Sequence, residues 1–253
     1  MFQTNLLHEK RILITGGGTG LGKGMAKRFL QLGATVYICG RRKEVLDEAA
    51  KELASTAPGK MHSIPCDVRD ASRVEEMVSS IWKSGPLEII VNNAAGNFLA
   101  RTEELSPGAF EAVIGIVLMG TINVTMACGK RLLEQKRPGV FLNIAATYVT
   151  TGSAYVVPSA MAKAGVVALT RSLAVEWGNR GIRMNAIAPG PIPTEGAFSR
   201  LLPIADFEKP ARERIPLGRF AEPEEVAKAA AFLICDGDYV TGQQININGG
   251  IYM

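Results

Sequence analysis

Short apolar runs alternate along this chain with longer stretches whose apolar positions recur at helical spacing. Ile12–Ile14 precedes a helical pattern from Leu21 to Leu32, Thr35–Cys39 precedes Glu44–Leu53, and His62–Pro65 precedes Ala71–Trp82. The run Glu88–Asn92 leads to a long helical stretch from Pro107 to Leu133, then to the run Val140–Ile144 and a helix from Ser159 to Trp177. Arg183–Ile187, a helix over Pro223–Leu233 that opens on proline, and the run Gln244–Ile247 complete the series. Runs that are apolar throughout, rather than alternately, suit strands buried on both faces, and strict β–α alternation makes those strands parallel. The pattern therefore predicts a single α/β domain over residues 1–253, a doubly wound parallel sheet with helices on both faces. Residues 190–216 fit no element well and carry Pro191, Pro193, Pro203, Pro210 and Pro216. A long loop in a compact domain is more often functional than decorative, and this one reads as a substrate lid with short helical turns inside it.

Composition narrows the picture without changing it. With 253 residues, 47% hydrophobic and 21% charged, the chain can bury one sizeable core. No apolar run is expected to reach membrane-spanning length, and neither terminus resembles a targeting signal, so a cytoplasmic protein that engages no membrane is expected. A net charge of +4 without a Lys/Arg block speaks against nucleic acid as a partner. Cys39, Cys66, Cys128 and Cys235 form no Cys-x-x-Cys and read as free thiols in a reducing compartment. His8 and His62, the only histidines, have no partner at ligand spacing, so no metal site is expected.

Thr15–Gly22 reads Thr-Gly-Gly-Gly-Thr-Gly-Leu-Gly, directly after the first strand and opening the first helix. Gly16, Gly20 and Gly22 let the backbone turn tightly and approach a pyrophosphate at the helix N-terminus, with Thr19 and Leu21 between them. The fold expected is thus of Rossmann type. Where an NAD site carries an acid at the end of the second strand, this chain has Gly40, followed by Arg41 and Arg42. Guanidinium groups suit a 2′-phosphate by charge and by their fork of donors, which predicts NADP(H) as cofactor.

With these residues in place, the chain resembles the short-chain dehydrogenase/reductase family over essentially its full length. The carriers are Thr15–Gly22, Cys66-Asp67-Val68, Asn92-Asn93-Ala94-Ala95-Gly96, Lys163 and Pro189-Gly190. The resemblance assigns Asp67 and Val68 to the adenine. It places Asn93 and Ala94 beside the cofactor, Lys163 at the nicotinamide ribose, and Pro189, Gly190 and Ile192 around the nicotinamide. Three of the family's four usual catalytic positions depart, however: its Tyr is Ser159, its Ser is Ala146 and its helix Asn is Val117. Ordinary ketone reduction needs an acid beside the carbonyl that receives hydride, because the charge develops on the adjacent oxygen.

The same departures occur in the 2,4-dienoyl-CoA reductase subgroup, whose wording is also similar at Asn92–Phe98, Thr147-Tyr148, Val157–Ala160, Ala174–Trp177 and Gly196–Leu201. What this resemblance implies is NADPH-dependent reduction of a 2,4-dienoyl thioester to a 3-enoyl thioester, an auxiliary step in β-oxidation of unsaturated fatty acids. Hydride at C5 would push charge back to the thioester oxygen, where Tyr148 and Asn97 would donate hydrogen bonds, each typically worth ~3–4 kcal/mol in the transition state. Ordered water would protonate C2. Ser159 stands at a helix start, so its hydroxyl can cap that helix or touch the cofactor. For the phosphates and chain of an acyl-CoA, the resemblance points to Arg41, Arg69 and Arg200, with Phe98 and Ser106 lining the path. It also suggests a homotetramer.

Three rivals stand beside this reading. A carbonyl reductase of the same fold would recruit Tyr148 or Tyr155 as acid, although Tyr155 lies eight residues before Lys163 instead of four. An enoyl-carrier-protein reductase would need a tyrosine at position 156, which is Val156. A catalytically silent NADP-binding module would also lose catalytic residues, but haphazardly, whereas Asn97, Tyr148 and Ser159 together reproduce one working subgroup.

Overall fold

The computed structural model describes residues 5–57, 59–194 and 212–251. Seven strands form one parallel sheet: β1 (Arg11–Thr15), β2 (Thr35–Gly40), β3 (Lys60–Pro65), β4 (Ile89–Asn92), β5 (Gly139–Ile144), β6 (Ile182–Pro189) and β7 (Gln244–Ile247). Their spatial order is β3-β2-β1-β4-β5-β6-β7. The register runs straight across, with Ile12 opposite Val36 on one side and Ile89 on the other.

Successive residues of a strand point to opposite faces, and here each face has its own core. Ile12 and Ile14 of β1, with Val36, Ile38 and Val91, pack under α1 (Gly20–Gln31), α2 (Lys43–Ala54) and α8 (Pro223–Cys235). Leu13, with Cys39, Ile90 and Phe141, packs under α3 (Ala71–Trp82), α5 (Gly120–Glu134) and α7 (Val157–Trp177). The central strands are therefore buried at most positions, and β4 at all four, while the edge strand β3 mixes Lys60 and His62 with apolar residues and is buried nowhere along its length. The edge is where the sheet meets water, so the apolar pattern relaxes most there.

Every strand and long helix of the sequence reading is present, with two differences. The stretch expected as one helix from Pro107 is broken into α4 (Pro107–Ile114), a π turn at Gly115–Met119, and α5. Gly115 opens that turn and Gly120 follows it, their bare backbones lying under Arg69 and Val68. A Cβ on Gly120 would come 2.5 Å from a Val68 methyl, so close seating of the loop after β3 requires glycine there. The second difference corrects the membrane-length expectation. The helical stretch Pro107–Glu134 is 28 residues long with a mean hydropathy of 1.9 in its most apolar window, enough to span a membrane by length and composition. Half of that window is buried inside the fold, because the helix serves as a wall of the second core. A four-residue helix, α6 (Tyr148–Thr151), follows β5 and has no counterpart in the apolar pattern.

Candidate active site

Strand order reverses between β1 and β4, so the loops leaving their C-terminal ends diverge and open a crevice. A cavity of about 520 Å³ occupies it. Its floor is the turn after β1, with Gly16, Thr19, Gly20 and Leu21 on the wall. Gly16 has φ +64°, a conformation L side chains rarely adopt. Gly22 lies just behind, where a Cβ would come 2.4 Å from the Gly16 carbonyl oxygen and 2.6 Å from the Asn93 amide nitrogen. The loop after β4 is bolted to this turn. Backbone N–H groups of Asn93 and Ala94 donate to Thr15 Oγ1, both at 2.9 Å, and Asn93 Nδ2 donates to the carbonyls of Thr15 (2.8 Å) and Gly16 (3.1 Å). The result is a bare-backbone cradle at a helix N-terminus, which fits a pyrophosphate.

At one end of the cavity stand Gly40 at the end of β2, Arg41 and Arg42 in the turn after it, and Asp67 and Val68 from the loop after β3. Among the described residues neither arginine forms an ion pair, so both guanidinium groups can turn to an anion in the cavity. Asp67 is paired: Arg69 Nη2 lies 2.6 Å from Oδ2, and Arg69 Nε lies 3.0 Å from both carboxylate oxygens. Those hydrogen bonds hold the Asp67 carboxyl below the usual carboxylate range. The two residues expected to serve different ligands are thus joined to each other, and Arg69 lies beside the cavity rather than on its wall.

The other end combines buried and half-buried polar groups. Tyr148 opens α6, and its phenol lies 2.8 Å from Ser159 Oγ. Ser159 is buried in the first turn of α7. It is not the cap, since the cap position is Val156 and the serine hydroxyl is engaged with Tyr148. One turn further, Lys163 is 6% exposed and its Nζ donates to the carbonyl of Ile144. Burial depresses its pKa to about 8. Burial raises the Tyr148 pKa, and the Ser159 hydrogen bond offsets part of that rise, so the phenol keeps its proton near neutrality. Asn97 lines the same space from the β4 side. Val117 and Ala146 are buried, and neither carries a group that could donate a proton.

The remaining expected residues are placed as follows. Pro189 is on the wall. Gly190 and Ile192 lie beneath it: Gly190 N–H donates to the Ile247 carbonyl at 2.8 Å, its backbone touches Asn248, and Ile192 is buried in the first core. Phe98 packs on Val113, Val117, Ala162 and Val166. Ser106 is exposed and caps α4, its hydroxyl accepting from Ala109 N–H at 3.3 Å. Arg200 and most of the expected lid lie outside the described residues. Tyr155 is 54% exposed and away from the cavity wall, which removes it as a displaced acid. Two contributors escaped sequence reading. Thr194 closes over Gly20, its side chain 3.4 Å from where a Gly20 Cβ would sit, but it is one polar residue in a proline-rich segment. The Ile144 carbonyl that receives Lys163 is backbone and leaves no sequence signal. Among the described residues no group of three His, Cys, Asp or Glu side chains could hold a metal ion.

This geometry has known relatives. A sequence model of the family described as Enoyl-(Acyl carrier protein) reductase matches residues 16–252. A Bacillus subtilis protein named "Probable 2,4-dienoyl-CoA reductase [(2E)-enoyl-CoA-producing]" is 44% identical over 98% of each chain. A Caenorhabditis elegans protein named "Probable 2,4-dienoyl-CoA reductase 3 [(3E)-enoyl-CoA-producing]" is 43% identical over 96% of this chain and 81% of its own. Among solved structures, a short chain dehydrogenase from Bacillus anthracis superposes with a TM-score of 0.88 at 42% identity, covering 97% of both chains.

Proposed function

We propose, because the chain belongs to the short-chain dehydrogenase/reductase family, that it reduces 2,4-dienoyl-CoA thioesters with NADPH to 3-enoyl-CoA. The observation that carries this reading is the Tyr148–Ser159 pair, 2.8 Å apart in the cavity, at the place where the family's acid is missing. A bound NADPH would supply the hydride, with its pyrophosphate on Gly16–Gly22, its 2′-phosphate at Arg41 and Arg42, and its ribose at Lys163. Attack at C5 of the dienoyl chain moves negative charge to the thioester oxygen. Tyr148 O–H and Asn97 N–H donate to that oxygen. Collapse of the dienolate with a proton from water at C2 leaves the double bond at C3. An acid at position 159 would serve only a charge born beside the attacked carbon, and Ser159 instead holds Tyr148.

The relatives carry both product descriptions, (2E) and (3E). The 3-enoyl product follows if no side chain stands over C4, and within the described residues Tyr148 is the one phenol on the cavity wall, tied to Ser159. The test is NADPH oxidation with 2,4-hexadienoyl-CoA, with the product's double bond located by NMR and 3-ketoacyl-CoA and enoyl-CoA run in parallel. No turnover of the dienoyl substrate would remove the function, and a 2-enoyl product would move the proton to C4. NADH in place of NADPH should be poorer, since it lacks the phosphate that the two arginines would meet.

Assembly and setting are proposed on the same footing. Met119, Met161 and Val175 are exposed apolar residues on the helical layer of the second face, 45%, 52% and 85% accessible, and suit a homotetramer interface. Light scattering would give the mass directly. The four free cysteines suit the cytoplasm, where β-oxidation of unsaturated chains would use this activity.

A further inference from the structure

The contact between Asp67 and Arg69 joins two residues to which the family resemblance assigns different ligands. Asp67 lines the cofactor cavity, and Arg69 stands just outside it. The loop that carries them is held rigidly. Asn123 Nδ2 on α5 donates to the carbonyls of Val68 at 2.9 Å and Arg69 at 3.3 Å. The aliphatic stem of Arg69 lies along Gly115 of the π turn, its Cδ 3.7 Å from where a Cβ would sit.

The guanidinium meets the carboxylate side-on, through Nε and one Nη2 hydrogen. Arginine has five N–H donors in a fixed plane, so among the described residues both hydrogens of Nη1 and the outer one of Nη2 are left over from this contact. One hydrogen of Nη1 and the outer one of Nη2 lie parallel at the end of the guanidinium and form a second two-donor edge, with geometry suited to a phosphate. Left to itself the pair is partly exposed, with side-chain accessibilities of 45% and 29%, and contributes little. A dinucleotide whose adenine covers Asp67 would exclude water from it, strengthening the attraction and fixing the guanidinium in one rotamer.

We propose that Asp67 is a positioning residue and Arg69 a shared cation. Occupation of the adenine end by NADPH sets Arg69 with its free edge toward a phosphate of the acyl-CoA, and the two ligands bind with positive coupling through this pair. The proposal rests on the acyl-CoA reading above. Coupling between two sites is reciprocal, and values of about 5- to 150-fold are typical. With an exposed pair as the carrier, about 5- to 10-fold is expected.

The test uses butanoyl-CoA, a saturated thioester that cannot be reduced. NADPH is titrated by fluorescence with and without saturating butanoyl-CoA, and butanoyl-CoA by calorimetry with and without NADPH. In the wild type each ligand should tighten the other by the same factor. In Asp67→Asn, which keeps the shape and loses the charge, that factor should fall toward one. Arg69→Lys keeps the charge but cannot chelate and present a second edge, and should lose the coupling too. If both ligands bind the wild type independently, or if the variants keep the coupling, the proposal is overturned while the acyl-CoA reading stands. If butanoyl-CoA does not bind the wild type at all, both fall.

Discussion

The two ends of the cavity are built on opposite physical plans. The end that would take the adenine and phosphates is backbone and surface charge. It has a glycine turn, helix N–H groups, and Arg41 and Arg42 exposed to water. The end that would take the nicotinamide and thioester is made of side chains withdrawn from water, with Ser159 2% and Lys163 6% exposed, Tyr148 and Asn97 half-buried, and both Tyr148 and Lys163 shifted in pKa by burial. Binding at the first end is spread over many weak, solvent-screened contacts, so its energy tolerates the loss of any one of them except where steric fit decides. Chemistry at the second end depends on a few groups held dry, where each interaction is worth more.

That contrast fails or holds on a graded set of substitutions. Tyr148→Phe keeps the ring but removes the phenol donor from the second end, together with its hydrogen bond to Ser159. It should lower kcat for 2,4-hexadienoyl-CoA by about 100- to 1,000-fold with NADPH affinity unchanged, read by steady-state kinetics beside fluorescence titration. A parallel loss of NADPH affinity would show that the two ends are not separable. Gly22→Val attacks the first end where sterics decide. Its side chain would meet the Gly16 carbonyl and Asn93. A strain of about 1–3 kcal/mol should appear as roughly 5- to 150-fold weaker NADPH binding, with kcat little affected once the cofactor is saturating. Unchanged affinity would mean that the turn relaxes and the cradle is not rigid.

Lys163 links the ends, and pH separates its two effects. Its pKa is lowered from 10.5 to about 8 by burial, so the unliganded protein carries the charged form below about pH 8. NADPH affinity should therefore fall as pH rises through 8, by up to roughly tenfold, because the neutral amine no longer attracts the dinucleotide's phosphates. Stability runs the other way. Between about pH 8 and 10.5 the unfolded chain binds more protons at this position than the folded one, so the Lys163 contribution to stability of the unliganded protein rises with pH in that window. Fluorescence titration and thermal melts over pH 7–10 would check both directions, and affinity constant across pH 8 would remove Lys163 from cofactor binding.

The first end was far more legible in the sequence than the second. Glycine spacing and Arg41-Arg42 report backbone conformation and charge, properties that a residue carries with it. Strand burial likewise follows from apolar runs. What stayed hidden depends on where separate elements meet. Tyr148 and Ser159 are eleven residues apart on α6 and α7, so no periodicity relates them, and only the fold shows that they share a hydrogen bond. Asp67 and Arg69 are two apart, yet chain proximity alone does not say that one will chelate the other. The π turn at Gly115–Met119 is apolar like its neighbours, and only the fit of Val68 and Arg69 against Gly120 and Gly115 marks it. Lengthwise apolarity also misleads in Pro107–Glu134, since a core helix needs the same composition as a membrane helix.

The smallest expected effect is the sharpest test of the buried end. Ser159 makes one neutral hydrogen bond to Tyr148, and either oxygen can be the donor. If the serine donates, the tyrosine's own proton is free for the thioester oxygen, and the phenol is held in one orientation before substrate arrives. Such a bond contributes about 0.5–1.5 kcal/mol, so Ser159→Ala should lower kcat by roughly 2- to 10-fold. A purely structural role in the first turn of α7 would instead reduce thermal stability and leave kcat alone. The decisive comparison is the double variant. Once Tyr148 is Phe there is no phenol to orient, so adding Ser159→Ala should cost nothing further in kcat. Additive losses would mean that Ser159 acts on the cofactor independently. A Ser159→Thr variant, which keeps the hydroxyl, should recover most of the rate if the hydrogen bond to Tyr148 is what matters.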